Sequence, residues 1–220
     1  MNTAPMPLDI KICGLSTPDT VAAALDGGAT HVGFIFFPKS PRNVTPELAG
    51  QLRQAAQGRA QAVAVTVDAD DALLDAIVAA MHPDMLQLHG HETPDRVSEV
   101  RERYNLPVMK ALSISGPEDL LRIGAFANIA DRLLLDAKAP AGSDLPGGNG
   151  VAFDWRLLAA LDPGLHYMLS GGLNAGNIGE ALRIANPPGI DVSSGVESAP
   201  GAKDVALIRA FFAAVRATRG

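Results

Sequence analysis

The chain has 220 residues, of which 47% are hydrophobic and 19% charged, so it can bury a substantial core and does not have the composition of a disordered protein. The formal net charge of -6 argues against a general nucleic-acid binder, although a local basic pocket for an anionic substrate remains compatible with it. The one cysteine, Cys13, excludes an intrachain disulfide.

The N-terminal sequence MNTAPMPLD has no basic stretch followed by a long apolar run, so no secretory signal is predicted. No apolar run approaches the roughly 20 residues that a membrane-spanning helix needs. A chain with a single cysteine also fits a reducing compartment. These features together predict a cytoplasmic protein with neither a membrane nor a nucleic acid as its partner.

Short apolar runs that are typical of strands alternate along the chain with longer segments that favour helices. Three of these segments open with Thr-Pro, at Thr17, Thr45 and Thr93, which is the pattern of an N-cap followed by proline in the first turn. The predicted strands cover residues 8–13, 31–37, 61–67, 84–89, 107–112, 132–136, 166–170 and 189–193. The predicted helices cover residues 17–26, 45–57, 70–81, 93–104, 116–127, 154–161, 174–184 and 203–218.

Eight β–α units without a second compositional zone predict one α/β domain over residues 1–220, preceded by a short N-terminal arm at residues 1–7. Parallel strands joined by right-handed crossovers close naturally into a (β/α)8 TIM barrel. An open doubly wound sheet is the alternative. Its usual Gly-x-Gly-x-x-Gly pattern is absent after the first strand.

Residues 137–151 (AKAPAGSDLPGGNGV) form an unusually long connection, rich in glycine and proline, after the sixth predicted strand. Loops of this length are uncommon in compact domains and often serve as lids or binding loops. A tolerated surface insertion is the alternative. Because the loop leaves the end of a barrel strand at which active sites form, we expect a lid.

Two glycine-containing loops follow the last two predicted strands, and they predict a phosphate site. Gly171 and Gly172 precede a helix, and Ser194 and Gly195 leave the eighth strand. Backbone N–H groups in such loops can converge on a phosphate, and barrels frequently bind phosphate at these two positions. The glycines could otherwise be ordinary turn residues.

Cys13 and Asp136 end the first and sixth predicted strands and are candidates for proton transfer. A lone buried cysteine is often only a small hydrophobic residue, but its place at a strand end also suits a base. Lys11 points to the same side of the strand, where it would favour the thiolate or pair with a carboxylate. Asp136 follows an apolar run and suits a general acid, with a helix cap or an ion pair as alternatives.

Arg42 and His89 are candidates for binding the substrate. A guanidinium suits bidentate contact with a carboxylate, although Arg42 could equally be a solvated surface residue. His89 follows the fourth predicted strand and could contact a ligand or be a structural histidine. The histidines form no recognisable metal motif, so no metal site is predicted.

In their order along nearly the whole chain, these segments resemble the phosphoribosylanthranilate isomerase family. The opening Lys-Ile-Cys-Gly and the closing Asp-Val-Ser-Ser-Gly-Val-Glu are the most specific matches. The matching stretches are Lys11-Ile12-Cys13-Gly14, Gly33-Phe34-Ile35-Phe36, Ser40-Pro41-Arg42, Gln87-Leu88-His89-Gly90, Leu134-Leu135-Asp136, Ser170-Gly171-Gly172-Leu173 and Asp191-Val192-Ser193-Ser194-Gly195-Val196-Glu197.

The resemblance implies an Amadori rearrangement of N-(5-phosphoribosyl)anthranilate to 1-(2-carboxyphenylamino)-1-deoxyribulose 5-phosphate in tryptophan biosynthesis. It implies that Cys13 is the general base, that Asp136 is the general acid and that Arg42 holds the anthranilate carboxylate. The two glycine-containing loops would hold the phosphate, with Lys11 and His89 elsewhere in the pocket. No cofactor is expected, and the enzyme would be a monomer or a homodimer.

One departure concerns Ala137, which follows Asp136 where the family pattern favours a small hydroxyl residue such as threonine. Two rival functions stay open at this point. A related barrel isomerase acting on a histidine-pathway aminoaldose would be expected to carry a carboxylate at the position of Cys13. A non-catalytic phosphate-binding protein would bind without converting its ligand.

Overall fold

The computed structural model describes residues 8–138, 147–148, 150 and 152–219. Eight parallel strands, β1 to β8, pair in chain order and close into a barrel because β8 also pairs with β1. This arrangement confirms the predicted (β/α)8 barrel and excludes an open doubly wound sheet. The strands are β1 Asp9–Cys13, β2 His31–Phe36, β3 Gln61–Thr66, β4 Met85–Leu88, β5 Val108–Ile114, β6 Arg132–Ala137, β7 Tyr167–Leu169 and β8 Gly189–Val192.

Seven α-helices surround the barrel, and the Thr-Pro signals mark where three of them begin. The side chains of Thr17, Thr45 and Thr93 accept the backbone N–H of Thr20, Leu48 and Arg96, respectively. Each cap satisfies a donor that the first helical turn leaves free. The helices are α1 Pro18–Gly27, α2 Pro46–Arg53, α3 Asp71–Met81, α4 Pro94–Tyr104, α5 Pro117–Leu120, α6 Ile178–Ala185 and α7 Val205–Arg219.

The structure is less helical than predicted in two places. The expected helix at 116–127 is a single turn, α5, followed by a 3₁₀ turn at Ile123–Ala125 that contains Gly124. Glycine is a poor helix former, which explains the interruption. The expected helix at 154–161 is a 3₁₀ helix at Trp155–Ala160, and Pro163 follows it closely. Proline restricts the residue before it, so the segment has little room for regular α-helical turns.

Strand residues alternate between the barrel interior and the layer beneath the helices, with the period of two that strands impose. The interior is apolar along most of its length and ends in polar groups. It contains Cys13, Val63, Val65, Met85, Met109, Ala111, Leu134 and Met168. The alternate residues, such as Ile12, Phe34 and Leu86, belong to the larger core between strands and helices.

Strand register places two site residues beside particular neighbours. Lys11 of β1 lies opposite Asp191 of β8, and Cys13 lies opposite Gly33 of β2. A Cβ atom at Gly33 would lie 3.1 Å from the Cys13 sulfur and 3.2 Å from Cε of Lys11. Gly33 therefore leaves the interior space that both side chains occupy.

A small antiparallel ribbon, which the sequence did not predict, follows the barrel. It pairs β9 Glu197–Ala199 with β10 Ala202–Lys203 and sets Glu197 opposite Lys203. The predicted arm at residues 1–7 and most of the predicted lid at 137–151 lie outside the described residues. Within the part of the chain that is described, no helix is both long and apolar enough to cross a bilayer.

Candidate active site

A cavity opens at the carboxyl ends of the strands, where barrel enzymes carry their active sites. Cys13 and Asp136 both line it, together with Arg42 and His89. Its other polar lining includes Gly171, Gly172, Ser193 and Ser194, and an apolar wall is formed by Ile35, Phe37, Val65, Val67 and Leu173. The structure thus brings the predicted base, the predicted acid and both predicted anion sites into one cavity.

Cys13 ends β1 and is only 5% exposed, and its sulfur separates the apolar interior from the cavity. Burial raises the pKa of the Cys13 thiol, Lys11 opposes that shift, and Asp191 adds to it, so that the pKa lies above its ordinary value. The thiol is therefore protonated at neutral pH in the free protein. Lys11 counteracts the effect of burial without reversing it.

Lys11 forms a buried ion pair with Asp191, with 2.9 Å between Nζ and Oδ1. Burial disfavours the ammonium, but the attraction of Asp191 and of Cys13 outweighs it and raises the pKa of Lys11. Ser170 donates to the second oxygen of Asp191 over 3.3 Å. Among the described residues, Lys11 does not line the cavity, unlike Cys13, and contacts the site through Asp191 and Cys13. Lys11 pairs with a carboxylate and also acts to lower the pKa of Cys13, so the two alternatives do not exclude each other.

Arg42 is a buried residue with a fixed guanidinium, so the alternative of a solvated surface arginine does not hold. Its Nε and Nη2 donate to the two oxygens of Glu197 over 2.7 and 2.9 Å. Lys203 also donates to Glu197. Burial raises the pKa of the Glu197 carboxyl, but Arg42 and Lys203 together lower it below its ordinary value. Within the described part of the chain, this arrangement leaves Nη1 of Arg42 for a ligand.

Asp136 is the last residue but one of β6, is 4% exposed, and lies beside His89 in the cavity lining. His89 Nε2 lies 3.3 Å from Oδ2 of Asp136. The other ring nitrogen, Nδ1, lies 2.8 Å from the side-chain amide nitrogen of Gln87. A Cβ atom at Gly147 would lie 2.6 Å from Oδ2 of Asp136 and 2.8 Å from Nε2 of His89. Asp136 is therefore neither a helix cap nor the partner of a lysine or arginine among these residues; its neighbour is an imidazole.

Residues of the glycine-containing loops after β7 and β8 form another part of the cavity lining. Gly171 has φ +93° and Gly172 φ +64°, and a Cβ at Gly171 would lie 2.6 Å from the Ala137 backbone nitrogen. Glycine is required at such a position because it combines positive φ with close backbone approach. Gly195 does not line the cavity. A side chain there would overlap the Leu173 carbonyl, so this glycine lets the two loops approach each other.

Several residues of the site were not assigned a role from the sequence. Gln87, Ser170 and Asp191 lie at or near strand ends, at the alternate positions that face the interior, and this spacing is the signal that could have found them. Glu197 stood in a motif but had no predicted partner. The contact of Lys203 with Glu197 depends on the β9–β10 ribbon, which the sequence pattern did not predict. No cluster of three or more potential metal ligands occurs in the described ranges.

A closed (β/α)8 barrel with a cavity at the carboxyl ends of its strands has the architecture of a TIM-barrel enzyme. A thiol and a carboxyl line the same cavity as a buried guanidinium and two glycine-containing loops. Residues 10–214 match the family model described as N-(5'phosphoribosyl)anthranilate (PRA) isomerase. The chain belongs to this family, and its predicted activity as an isomerase is confirmed.

Individual relatives agree with the family match. The N-(5'-phosphoribosyl)anthranilate isomerase of Mesorhizobium japonicum is 72% identical over 214 residues, which are 97% of this chain and 98% of that protein. A crystal structure of phosphoribosyl anthranilate isomerase with reduced 1-(o-carboxyphenylamino)-1-deoxyribulose 5-phosphate is 30% identical, with a TM-score of 0.82, over 96% of this chain and 100% of that chain.

A further solved structure concerns assembly. It contains monomers generated from the dimeric phosphoribosylanthranilate isomerase of Thermotoga maritima and is 30% identical to this chain, with a TM-score of 0.81. The match covers 96% of this chain and 100% of that one. Both assembly states predicted here, monomer and dimer, therefore occur in a relative.

Proposed function

We propose that this cavity converts N-(5'-phosphoribosyl)anthranilate to 1-(2-carboxyphenylamino)-1-deoxyribulose 5-phosphate, with Cys13 as the general base and Asp136 as the general acid. The observation that carries the proposal is that both side chains line one cavity with Arg42 and the loops after β7 and β8. Family membership favours this reaction over that of a histidine-pathway isomerase and over ligand binding without turnover.

The reaction begins at the ribose ring. Asp136 gives its proton to the ring oxygen, the bond from that oxygen to C1 breaks, and the nitrogen lone pair forms an iminium with C1. The thiolate of Cys13 then takes the proton from C2, and the electrons of that bond form the enolamine. Return of one proton to C1 and loss of the hydroxyl proton from O2 give the ketone and restore both groups. Since the iminium itself acidifies the C2 proton, this sequence needs no metal or redox cofactor.

The raised pKa of Cys13 has a consequence for this scheme. The thiolate is a minority form at neutral pH, so the buried ammonium of Lys11 is needed to keep it accessible. The iminium, which is also a cation, favours the same charge state when it forms. We therefore expect the rate to rise with pH toward the alkaline side until the thiol is ionised.

The proposed anion sites hold the substrate at both ends. Arg42 offers Nη1 to the anthranilate carboxylate, because Glu197 already occupies Nε and Nη2. The Gly171–Gly172 and Ser194–Gly195 loops offer backbone N–H groups to the phosphate. The apolar wall that includes Phe37 suits the aromatic ring. Two such contacts fix the reacting carbon atoms between acid and base.

We also propose the domain organisation, the partner and the assembly state of the protein. We infer one (β/α)8 domain, since all eight strands belong to the same closed barrel. The phosphorylated substrate is the small-molecule partner, and a monomer or a homodimer in the cytoplasm is the expected state.

Replacement of Cys13 tests the mechanism directly. Cys13→Ala should abolish turnover, measured by the loss of anthranilate-type fluorescence, while binding of a phosphorylated product analogue stays within a few-fold. Cys13→Ser preserves the size of the side chain but supplies a far weaker base, so it should also be inactive. Near-normal turnover by either variant would remove Cys13 from the mechanism.

A further inference from the structure

Gln87 is a fully buried polar residue on β4 that the proposed mechanism does not use. Its amide nitrogen Nε2 lies 2.8 Å from Nδ1 of His89, and the opposite ring nitrogen faces Asp136 at 3.3 Å. The amide oxygen Oε1 of Gln87 is buried without a partner among the described residues. A buried polar group with only one satisfied end requires an explanation.

The orientation of the Gln87 amide determines which nitrogen of His89 carries the proton. An amide nitrogen can only donate, so Nδ1 must be the unprotonated nitrogen that accepts, and Nε2 then carries the hydrogen. The flipped amide would bury its N–H groups without an acceptor, which is rarer in proteins than a carbonyl oxygen that lacks a donor. It would also leave Nε2 as an acceptor, so the acidic proton of Asp136 would be donated from Oδ2 to His89 and not to the substrate.

We propose that Gln87 is a positioning residue that holds His89 in the tautomer with Nδ1 unprotonated, so that its Nε2–H is directed at Oδ2 of Asp136. This inference rests on the proposed role of Asp136 as the general acid. When Oδ2 accepts the Nε2–H, the acidic proton of Asp136 is left on Oδ1, where it can be given to the substrate. The contacts from Gln87 through His89 to Asp136 therefore select one oxygen of the carboxyl as the proton donor.

The opposite tautomer of His89 is disfavoured by the same contact. A proton on Nδ1 would bring that N–H against the N–H of Gln87, 2.8 Å away. A carboxylate at position 87 would instead accept a hydrogen bond from Nδ1–H.

Among the residues described, the charged groups around His89 do not contact its Nδ1 atom, which lies against Gln87. From the other elements, Cys13, Arg42 and Asp191 share the cavity lining with His89 and Asp136. Behind the loop after β4, Lys110 forms a buried ion pair with Glu92 over 2.6 Å and also donates to the Gly90 carbonyl. Arg42 and Asp191 are each paired with an opposite charge, so the carboxyl in contact with His89 is that of Asp136.

The tautomer can be read in the unaltered protein. Nitrogen-15 NMR of the imidazole rings, with the His89 signals assigned by comparison with His89→Gln, should show Nδ1 unprotonated and Nε2 protonated at neutral pH. Protonated Nδ1, either as the other tautomer or as the imidazolium, would overturn the proposal. This measurement requires no variant of Gln87 to fold.

Two variants of Gln87 separate positioning from packing. In Gln87→Glu, an acceptor faces Nδ1, so Nδ1 should be protonated in the nitrogen-15 spectrum and kcat at neutral pH should fall at least about tenfold. The change in KM should stay within about threefold. Gln87→Met, which has similar volume and no charge, should lower kcat less. Equal losses of kcat in the two variants, or an unprotonated Nδ1 in Gln87→Glu, would indicate a packing role and overturn the proposal.

The inference and the proposed function can fail separately. An inactive Asp136→Asn variant together with a protonated Nδ1 in the native protein would overturn the role of Gln87 alone. Retention of turnover by Asp136→Asn would overturn both, since no general acid would remain to be positioned. In a His89→Asn background, Gln87→Glu should cause no further loss of kcat, and a persistent loss would also contradict this role of Gln87.

Discussion

The two ends of the barrel both bury ionisable groups, but they treat them differently. At the carboxyl end, Cys13 and Asp136 line a cavity; Lys11 opposes the effect of burial on the pKa of Cys13, and His89 lies 3.3 Å from Asp136. At the opposite end, His31 is 5% exposed, and its Nδ1 lies 2.7 Å from the hydroxyl of Thr30. Burial and the positive charge of Arg132 lower the pKa of His31 to about 4, so it is neutral.

The difference shows that burial alone does not distinguish a functional group from a structural one. The pKa of His31 is strongly lowered, yet His31 begins a strand at the end away from the cavity, where its neutral imidazole only packs against its neighbours. Burial also acts on the pKa values of Cys13 and Lys11. Cys13, however, reaches the cavity, and Lys11 forms the ion pair with Asp191 beside it. Changes at the carboxyl end should therefore affect turnover, and changes at the opposite end should affect stability.

The largest effect on turnover is expected from Asp136→Asn. The substitution keeps the shape of the side chain and an oxygen for His89 but removes the acidic proton, so kcat should fall by about 10²–10⁴-fold. Stopped-flow or steady-state fluorescence measures this loss. Asp9→Asn at the opposite end breaks an ion pair with Arg132 and is the matched control, with kcat unchanged. Equal losses in the two variants would contradict the functional difference between the ends.

Lys11→Met should produce the largest loss of stability. It leaves the buried carboxylate of Asp191 without its ion-pair partner, so the free energy of unfolding should fall by about 3–5 kcal/mol in urea titrations. The ascending limb of the rate should also move to higher pH, because Lys11 lowers the pKa of Cys13. Lys39→Met, at an exposed position, should change stability by less than about 0.5 kcal/mol. A fully stable Lys11→Met would show that the pair is dispensable.

His31 should make stability depend on pH between 6.5 and 4 without affecting the chemistry. Its pKa is about 4 in the folded protein and ordinarily 6.5, so the unfolded chain binds a proton in this range that the folded chain does not. The free energy of unfolding therefore falls on acidification, by up to about 1.4 kcal/mol per pH unit from this group. In His31→Gln this part of the dependence should disappear while kcat at neutral pH is retained.

The control for this experiment is Leu121→Ala, at an exposed position without an ionisable group. The pH dependence of its unfolding should match that of the unaltered protein. If His31→Gln also followed the unaltered curve, His31 would not be the neutral group whose protonation opposes folding.

The smallest of these effects is expected at Arg42. In Arg42→Lys, one ammonium cannot donate to both oxygens of Glu197 and also reach a ligand carboxylate, so KM should rise about tenfold with kcat within about threefold. Steady-state kinetics separates the two parameters. Arg59→Lys alters an exposed ion pair with Asp26 and should leave KM unchanged. An unaltered KM in Arg42→Lys would argue against carboxylate binding at this position.

The barrel could be predicted from the sequence because its signals are local. Apolar strand runs and Thr-Pro caps act within a few residues, and the order of eight β–α units then limits the topology. The weak helix at 116–127 was overpredicted because its glycines counted for less than the pattern around them. The positions of Cys13 and Asp136 at strand ends were predictable for the same local reason.

The pairings within the site could not be predicted, since they depend on closure of the barrel. Lys11 and Asp191 are 180 residues apart and meet only because β1 pairs with β8. Arg42 and Glu197 are 155 residues apart and meet through the ribbon. The contact of His89 with Asp136 joins two strands that are not neighbours in the sheet. Such contacts are set by three-dimensional geometry and leave no spacing in the sequence.

The β9–β10 ribbon determines where the chain can be reopened by circular permutation. Its turn gives the Gly201 N–H to Glu197, and the bond from the Asp204 N–H to the Val196 carbonyl holds the start of α7 against it. New termini in that turn would preserve all eight strands but loosen the ribbon that holds Glu197 against Arg42. A permutant opened at the exposed Gly58 would keep the contact between Glu197 and Arg42, and with it the affinity that we propose for ligands with a carboxylate.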